Sequence, residues 1–248
     1  MSPKNGFFWA TETEEPENAV RSQARAAYLE MRERIIGGDL APLEKLKISA
    51  LARELGVSSS AMREALSRLA SDLLVEARDQ QGFRVAPVSL DELDDLTATR
   101  IDIESIALSR SIARGDGAWE ARVRAAHAAM SGAVCSPNTI EARALHKAFH
   151  DALLCACGNR ALLRIRDSLF ELTERYRNIS MRYAVHPRRV AQEHDRIAEL
   201  VLARDTSAAL DALANHLRKT AELVREAIAS HSPSAVGYRT SDDARQAV

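Results

Sequence analysis

His146 and His150 stand four residues apart, a spacing that puts both imidazoles on one face of a helix. His194 follows 44 residues after His150, and His216 a further 22 on, each beside apolar positions at helical spacing. Neutral imidazoles carried by three antiparallel helices can converge in a bundle core on Zn²⁺, Ni²⁺ or a similar ion. One such pair often arises by coincidence; the two further histidines weigh against coincidence here. Arg100 and Glu104, again one turn apart, allow two readings. One is a plain intrahelical ion pair. The other is a planar guanidinium fork set to take a carboxylate in both hands. Tyr176 and Arg177, with Arg175, can add to such a pocket, although at least one of these arginines reads as a solvated helix face. Cys155 and Cys157, two apart on a helix, point in different directions and read as packing residues, and Cys135 in its loop is given no role.

These histidines do not spell a hydrolase. The stretch His146-Lys147-Ala148-Phe149-His150 lacks the Glu beside the first histidine that a zincin uses as general base. No Glu-x-x-His pair suits a di-iron bundle, and neither a glycine-rich phosphate loop nor Gly-x-Ser-x-Gly occurs. An enzyme is therefore not expected; a metal-dependent helical enzyme stays as an alternative, as does a helical sensor that binds no DNA.

A second constellation suits nucleic acid. Ser58-Ser59-Ser60 opens a short helix, with Arg63 one turn later and Arg68 beyond it. The major groove admits one α-helix, which reads base edges from its first turn, and small hydroxyls there allow close approach. Lys47 and Arg53, with Ser49 beside them, lie on or next to the preceding helix, where phosphate contacts set register. Gln80, Gln81 and Gly82 form the tip of a hairpin, and a glycine there lets backbone approach a minor groove.

The elements that must position these residues follow from periodicity. A helix runs from about Val20 to Ile36 and ends at Gly37-Gly38. After a linker containing Pro42, a second spans Ser49 to Leu55 with Ser49 as N-cap and Gly56 as stop, and Ser58 caps a third that carries Met62, Ala65, Leu66 and Leu69 on one face. Leu73-Leu74-Val75 and Phe83-Arg84-Val85 flank a polar turn, a β-hairpin closed by Pro87. Ser89 with Glu92 fits a capping box for a long helix to Gly115. Five more helices are expected over Ala118–Ser131, Thr139–Cys157, Arg160–Tyr183, Val190–Ala203 and Thr206–Ala229, separated by breaks at Gly132 to Asn138, Gly158-Asn159, His186-Pro187 and Arg204-Asp205. The expected fold is mainly α. A winged helix-turn-helix (three helices plus a hairpin wing) occupies residues 18–87, and an antiparallel bundle of about six helices occupies 88–230. Loose tails take 1–17, with the cluster Phe7-Phe8-Trp9, and 231–248, with Ser232, Pro233, Ser234 and Gly237.

Composition narrows the class. Of 248 residues 46% are hydrophobic, too many for wholesale disorder, yet no apolar run approaches the ~20 residues of a membrane span. Only 10 glycines and 7 prolines favour helices over sheets. Three cysteines, an odd number, argue against a disulfide framework, and an acidic start (Glu12, Glu14, Glu15, Glu17) fits neither a secretory signal nor a transit peptide, so a cytoplasmic location is expected. The net charge of −1 gives no sign of nucleic-acid binding. It is a sum over unlike parts, however: the first 17 residues set Lys4 against four glutamates, while 18–87 carry eleven basic and nine acidic residues.

The wording of the residues adds a resemblance. Ile36-x-x-x-Leu40-x-Pro42, Leu51-Ala52-x-x-Leu55-Gly56-Val57-Ser58, Arg63-Glu64-Ala65-Leu66-x-x-Leu69 and Gly82-Phe83-x-Val85 resemble the N-terminal domain of GntR-family bacterial transcription regulators. Two departures stand out: Leu43 follows the linker proline where the family usually has Gly, and Ser59 and Ala61 replace the common Arg and Pro or Thr. Arg100-x-x-x-Glu104, Phe149-His150 before Gly158-Asn159, Glu193-His194, and Asp205-x-x-x-Ala209 leading to His216 resemble the FCD ligand-binding domain of the FadR-type branch. That resemblance implies a metal held by Asp and three histidines and completed by an organic-acid effector. It carries over His150, His194 and His216, with His146 in place of the carboxylate, and a divalent metal, Zn with Ni or Mn as alternatives. Lys45-Leu46-Lys47-Ile48-Ser49, His146 to His150, Cys157-Gly158 and Arg175-Tyr176-Arg177 are similar to the CsiR-type subgroup, associated with repressing catabolism of glutarate and related acids. The expectation is a homodimeric repressor that binds an operator in double-stranded DNA, controlled by a small organic acid, with no membrane association.

Overall fold

A computed structural model describes residues 16–133, 139–181 and 190–230. The aromatic cluster Phe7-Phe8-Trp9, Cys135, the His186-Pro187 break and the tail from residue 231 lie outside the described residues. The chain divides into two compact units, one built from residues up to Arg32 with Lys45–Arg84, the other from Glu33–Glu44 with the residues from Val85 onward.

In the first unit, α1 (Pro16–Ile36, its last turn belonging to the second unit) begins at a proline, whose missing N–H costs nothing at the first helical position. This is ahead of the Val20 start that periodicity marks. α2 (Ile48–Leu55) and α3 (Ser59–Ser71) form the helix-turn-helix. The Gly56 stop is left-handed at φ 65, as a helix C-cap requires. Ser58 caps α3 by accepting from the Ala61 N–H at 3.1 Å. Ser49 does not cap α2: the chain leaves extended backbone at Lys47, which becomes the N-cap without a side-chain bond, so Ser49 falls inside the helix. The reason is an unexpected strand, β1 (Lys45–Leu46), in what reads as linker. It adds to the edge of the wing, β2 (Val75–Arg78) and β3 (Gly82–Val85), giving the order β1-β3-β2 with Leu46 opposite Phe83. Buried Ala24, Ala27, Met31, Leu51, Ala61, Met62, Ala65, Leu66, Leu69 and Phe83 make this unit's core.

The second unit holds α4 (Leu90–Arg114), α5 (Gly117–Ser131), α6 (Ile140–Leu154) with a 3₁₀ turn at Cys155–Cys157, α7 (Arg160–Met181), α8 (Val190–Leu202) and α9 (Thr206–Ala229). One apolar core joins Leu108, Trp119, Phe149, Leu153, Ile197, Val201 and Leu213 from five of these helices; Cys157 is buried within it and Cys155 packs against it. The expected capping box is half made. Ser89 Oγ accepts from the Glu92 N–H at 3.4 Å, but Glu92 does not reach back. Tyr176 Oη takes the Ser89 N–H instead, at 3.1 Å, and donates its own proton to Glu92. Leu43 carries φ 67, the left-handed backbone for which glycine is the ordinary residue. No helix among the described residues is long and apolar enough to cross a membrane.

Candidate functional site

α6 supplies His146 and His150, α8 His194 and α9 His216. Their rings gather closely: centroids are 4.7 Å apart for His146–His150, 5.2 Å for His146–His194, 5.4 Å for His150–His216 and 4.6 Å for His194–His216. One ligand nitrogen from each lies within 4.8 Å of all the others. His150, His194 and His216 are buried and His146 is half-buried. Behind three of the rings stands a carboxylate: Glu193 Oε2 at 2.9 Å from His216 Nδ1, Glu174 Oε1 at 3.4 Å from His146 Nδ1, and Glu104 Oε2 at 4.0 Å from His150 Nδ1. The Glu193–His216 contact is a hydrogen bond of the kind by which metal-ligating histidines use their second nitrogen, which fixes the ring and raises its basicity.

The donor set fits a divalent ion. Both ring nitrogens of His150 are buried without a hydrogen-bond partner, a costly state that a metal bond would relieve at one of them. Burial, then the neighbouring His146, His216, His194 and Arg100, hold His150 well below its ordinary value near 6.5, and burial likewise lowers His146 against the pull of Glu174. Neutral imidazole is the ligating form. The four histidines would hold the ion, and the ion would supply a positive anchor for a carboxylate oxygen.

The lowered histidines set a pH dependence. Below about pH 6.5 the unfolded chain binds protons at these positions that the folded chain refuses, so ∂ΔG/∂pH is positive there. The metal-free protein is expected to lose stability as pH falls from 6.5 toward 5, and a urea midpoint that stays flat over that range would contradict it.

Beside the histidines lies a buried charged group. Arg100 Nε donates to Glu104 Oε1 at 2.6 Å and its Nη1 to Thr173 Oγ1 at 2.7 Å. Arg166, on α7, donates to the same Glu104 oxygen at 3.3 Å and also to Asp151 and Asp167. Each guanidinium sits 4.6 Å from the centre of the Phe170 ring. Burial pushes Glu104 up, but Arg100 and Arg166 together hold it below the usual carboxylate range. Nη2 of each arginine is buried without a partner. A small pocket between Leu93, Thr97, Arg100, Thr173 and Leu217 opens at this place.

So the structure brings Arg100 and Glu104 together as an ion pair that also leaves donor capacity unused. It does not bring Tyr176 to them: its hydroxyl is committed to Ser89 and Glu92, within the apolar group of Val88, Leu93, Ile179 and Val224. Arg177 is turned to Glu174, which it grips with two nitrogens, Nε at 2.9 Å and Nη2 at 2.7 Å, and through that carboxylate it stands behind His146. Arg175 is not solvated either; it is 2% exposed and donates to the carbonyls of Ala86 and Pro87. Arg166 was not legible: Arg164-Ile165-Arg166-Asp167 has the look of a solvated face, and it is Glu104, from α4, together with Phe170 one turn along α7, that makes its burial worthwhile.

In the first unit, Lys47, Ser49, Arg53, Ser58, Ser59, Ser60, Arg63, Arg68, Gln81 and Gly82 are all exposed, while Ala61, Met62, Ala65 and Leu66 turn inward. Ser58 Oγ is occupied by the cap and by Ser60 Oγ at 3.0 Å, and Arg68 lies 4.4 Å over the Tyr28 ring. Ser59, Ser60 and Arg63 are left as the outward first turns of α3. Gln80 and Gly82 take φ 58 and 83 to close the wing.

Comparison with known proteins agrees with both halves. Residues 23–85 match the family described as bacterial regulatory proteins, gntR family, and residues 95–219 match the FCD domain. The chain is 35% identical over 212 residues to the HTH-type transcriptional repressor GlaR of Escherichia coli (strain K12), covering 82% of this chain and 96% of that protein. It is 34% identical over 215 residues to the HTH-type transcriptional regulator BphR of Paraburkholderia xenovorans (strain LB400), covering 84% of this chain and 87% of the other. Among solved structures, E. coli McbR/YncC shares the fold with a TM-score of 0.68 at 18% identity, over 82% of this chain and 97% of that one.

Proposed function

The chain belongs to the GntR family of DNA-binding transcription regulators and carries an FCD domain, and from that premise we propose that it is a metal-centred repressor released by a small organic acid. Its domains and relatives are those of regulators, not of enzymes. In this reading residues 18–87 meet the operator and 88–230 hold the metal and the effector. The observation that carries it is the convergence of four histidines beside two buried guanidiniums with unused donors. Four neutral imidazoles leave a divalent ion its full charge, and Nη2 of Arg100 and of Arg166 is buried without a partner beside them. Such a site favours an anion with more than one charge, and a dicarboxylate such as glutarate meets it at both ends. Repression is supported by the name of the GlaR relative.

Two recognition helices must reach half-sites about one DNA turn apart, so the working form is a homodimer. Ser59, Ser60 and Arg63 would face base edges, and Lys47, Ser49, Arg53, Arg68, Gln81 and Gly82 the backbone and flanking groove. The effector acts only to the extent that it binds the released arrangement better than the DNA-bound one.

The test is binding to the DNA upstream of the protein's own gene, titrated with salt and with glutarate. Salt-sensitive binding weakened by the dicarboxylate is expected; binding that ignores salt, or no binding, would remove the repressor reading. Arg63→Ala should weaken binding to that fragment by about 1–3 kcal/mol while leaving non-specific DNA nearly unaffected. Equal losses on both DNAs would demote Arg63 to a phosphate contact.

A further inference from the structure

The histidine cluster and the chain segments that lead toward the winged helix meet on one short stretch of α7. Six consecutive residues, Thr173 to Asn178, rise only about 8 Å along the helix. Thr173 accepts from Arg100, and Glu174 stands beside His146. Arg175 donates to the carbonyls of Ala86 and Pro87, the latter at 3.3 Å. Tyr176 takes the Ser89 N–H, and Asn178 Nδ2 donates to the Ile36 carbonyl at 2.9 Å, at the end of α1. Residues 33–36 and 86–89 belong to the second unit and are covalently continuous with the first.

We propose that Arg175 and Asn178 are positioning residues that transmit the state of the metal centre to residues 33–40 and 86–89. The proposal rests on the metal reading above. Arg175 is almost wholly buried, and burial lowers its affinity for its proton, with Tyr176 and Glu92 opposing. Its hydrogen bonds run to two main-chain carbonyls, and its Nε has no partner. A guanidinium so placed cannot give up the carbonyls without being left unsatisfied in the interior, so the 86–87 backbone follows any displacement of α7. Asn178 imposes the same on the last turn of α1, since its buried Nδ2 would be left unsatisfied without the Ile36 carbonyl. The other end of the stretch is held by the groups that meet ligand and metal. A shift of His146 on ligating an ion would be felt at Glu174 and its clamp Arg177, and the next residue along is Arg175. Packed helices shift as bodies, and a small displacement is thereby carried from one residue to the next.

The test uses the full chain and Zn²⁺ alone, with hydrogen exchange read residue by residue. In the wild type, zinc loading should slow exchange at amides 37–40 and 89 by about tenfold or more, since these N–H groups bond to the α1 end and to Tyr176. In Arg175→Met and in Asn178→Ala, zinc should still bind with its affinity within about threefold of wild type, while the slowing at those amides falls below about twofold. A merely structural role would lower stability without separating zinc affinity from this distant protection. If Arg175→Met does not fold, Asn178→Ala decides alone. Zinc uptake without any change at these amides in the wild type, or a wild-type change in either folded variant, overturns the coupling and leaves the metal centre standing. Failure to take up zinc removes the metal centre and the coupling with it.

Discussion

Replacing His150 with leucine is expected to abolish zinc-induced stabilisation while leaving the metal-free protein at least as stable as the wild type. The two halves of that result have separate causes. His150 is fully buried with neither ring nitrogen bonded, so the metal-free fold carries the desolvation of both atoms uncompensated. A leucine of similar volume relieves it. With zinc, the wild type gains RT ln(1 + [Zn]/Kd), about 4 kcal/mol at a thousandfold excess over Kd, and the variant loses a central ligand and with it that increment. Urea unfolding with a chelator and then with zinc measures both. Glu193→Gln, which keeps the His216 ligand and weakens only the group behind it, should cost roughly 10–100-fold in affinity, a smaller loss than that of His150→Leu. A leucine variant that retained the zinc increment would mean that His150 packs in the core and ligates nothing.

Glu104→Gln should be the most destabilising change of a single polar group in the second unit. Glu104 is wholly buried and one of its oxygens accepts from both Arg100 and Arg166. The amide has the same shape but no charge, and it leaves two guanidiniums stacked on Phe170 without their shared anion; Asp151 and Asp167, both half-exposed and also engaged by Lys147, only partly answer for Arg166. Breaking a buried pair from one side costs about 3–5 kcal/mol, here read as a lower urea midpoint at neutral pH. The same site predicts that a dicarboxylate restores part of the loss, because its own charge can stand in for that of Glu104. A variant less than about 1 kcal/mol weaker would show that neither arginine depends on Glu104 for its charge balance.

Local chemistry made the framework legible. Gly56, Ser58, Thr139 and Asp205 close or open helices where their side chains and backbone freedom require. The histidines were legible too, because i, i+4 spacing and apolar surroundings already put them on inward helix faces, and His146 joins the other three in space. What escaped depended on distant parts of the chain. β1 has only two residues and exists because β3 offers an edge, a non-local pairing with no periodicity of its own. That strand moved the N-cap of α2 from Ser49 to Lys47. Arg166 and Arg175 resemble solvated arginines because nothing within a turn of either reveals Glu104 for the one, or the carbonyls of residues 86 and 87 for the other. The pair Arg100–Glu104 is an ion pair, and Arg100 Nη2 is buried without a partner beside it. The near-zero net charge misled only as a total: the serines of α3 and the flanking basic residues are exposed, and a modest local excess leaves much of the affinity to specific contacts.

The central claim, that His146, His150, His194 and His216 together hold one divalent ion, is tested most directly by X-ray absorption on the full chain loaded with one equivalent of zinc. The account predicts nitrogen scatterers at about 2.0–2.1 Å with the outer-shell pattern of several imidazoles and no sulfur, and loss of one imidazole in His146→Ala. A sulfur shell at about 2.3 Å, or a spectrum of zinc surrounded by water alone, would contradict it.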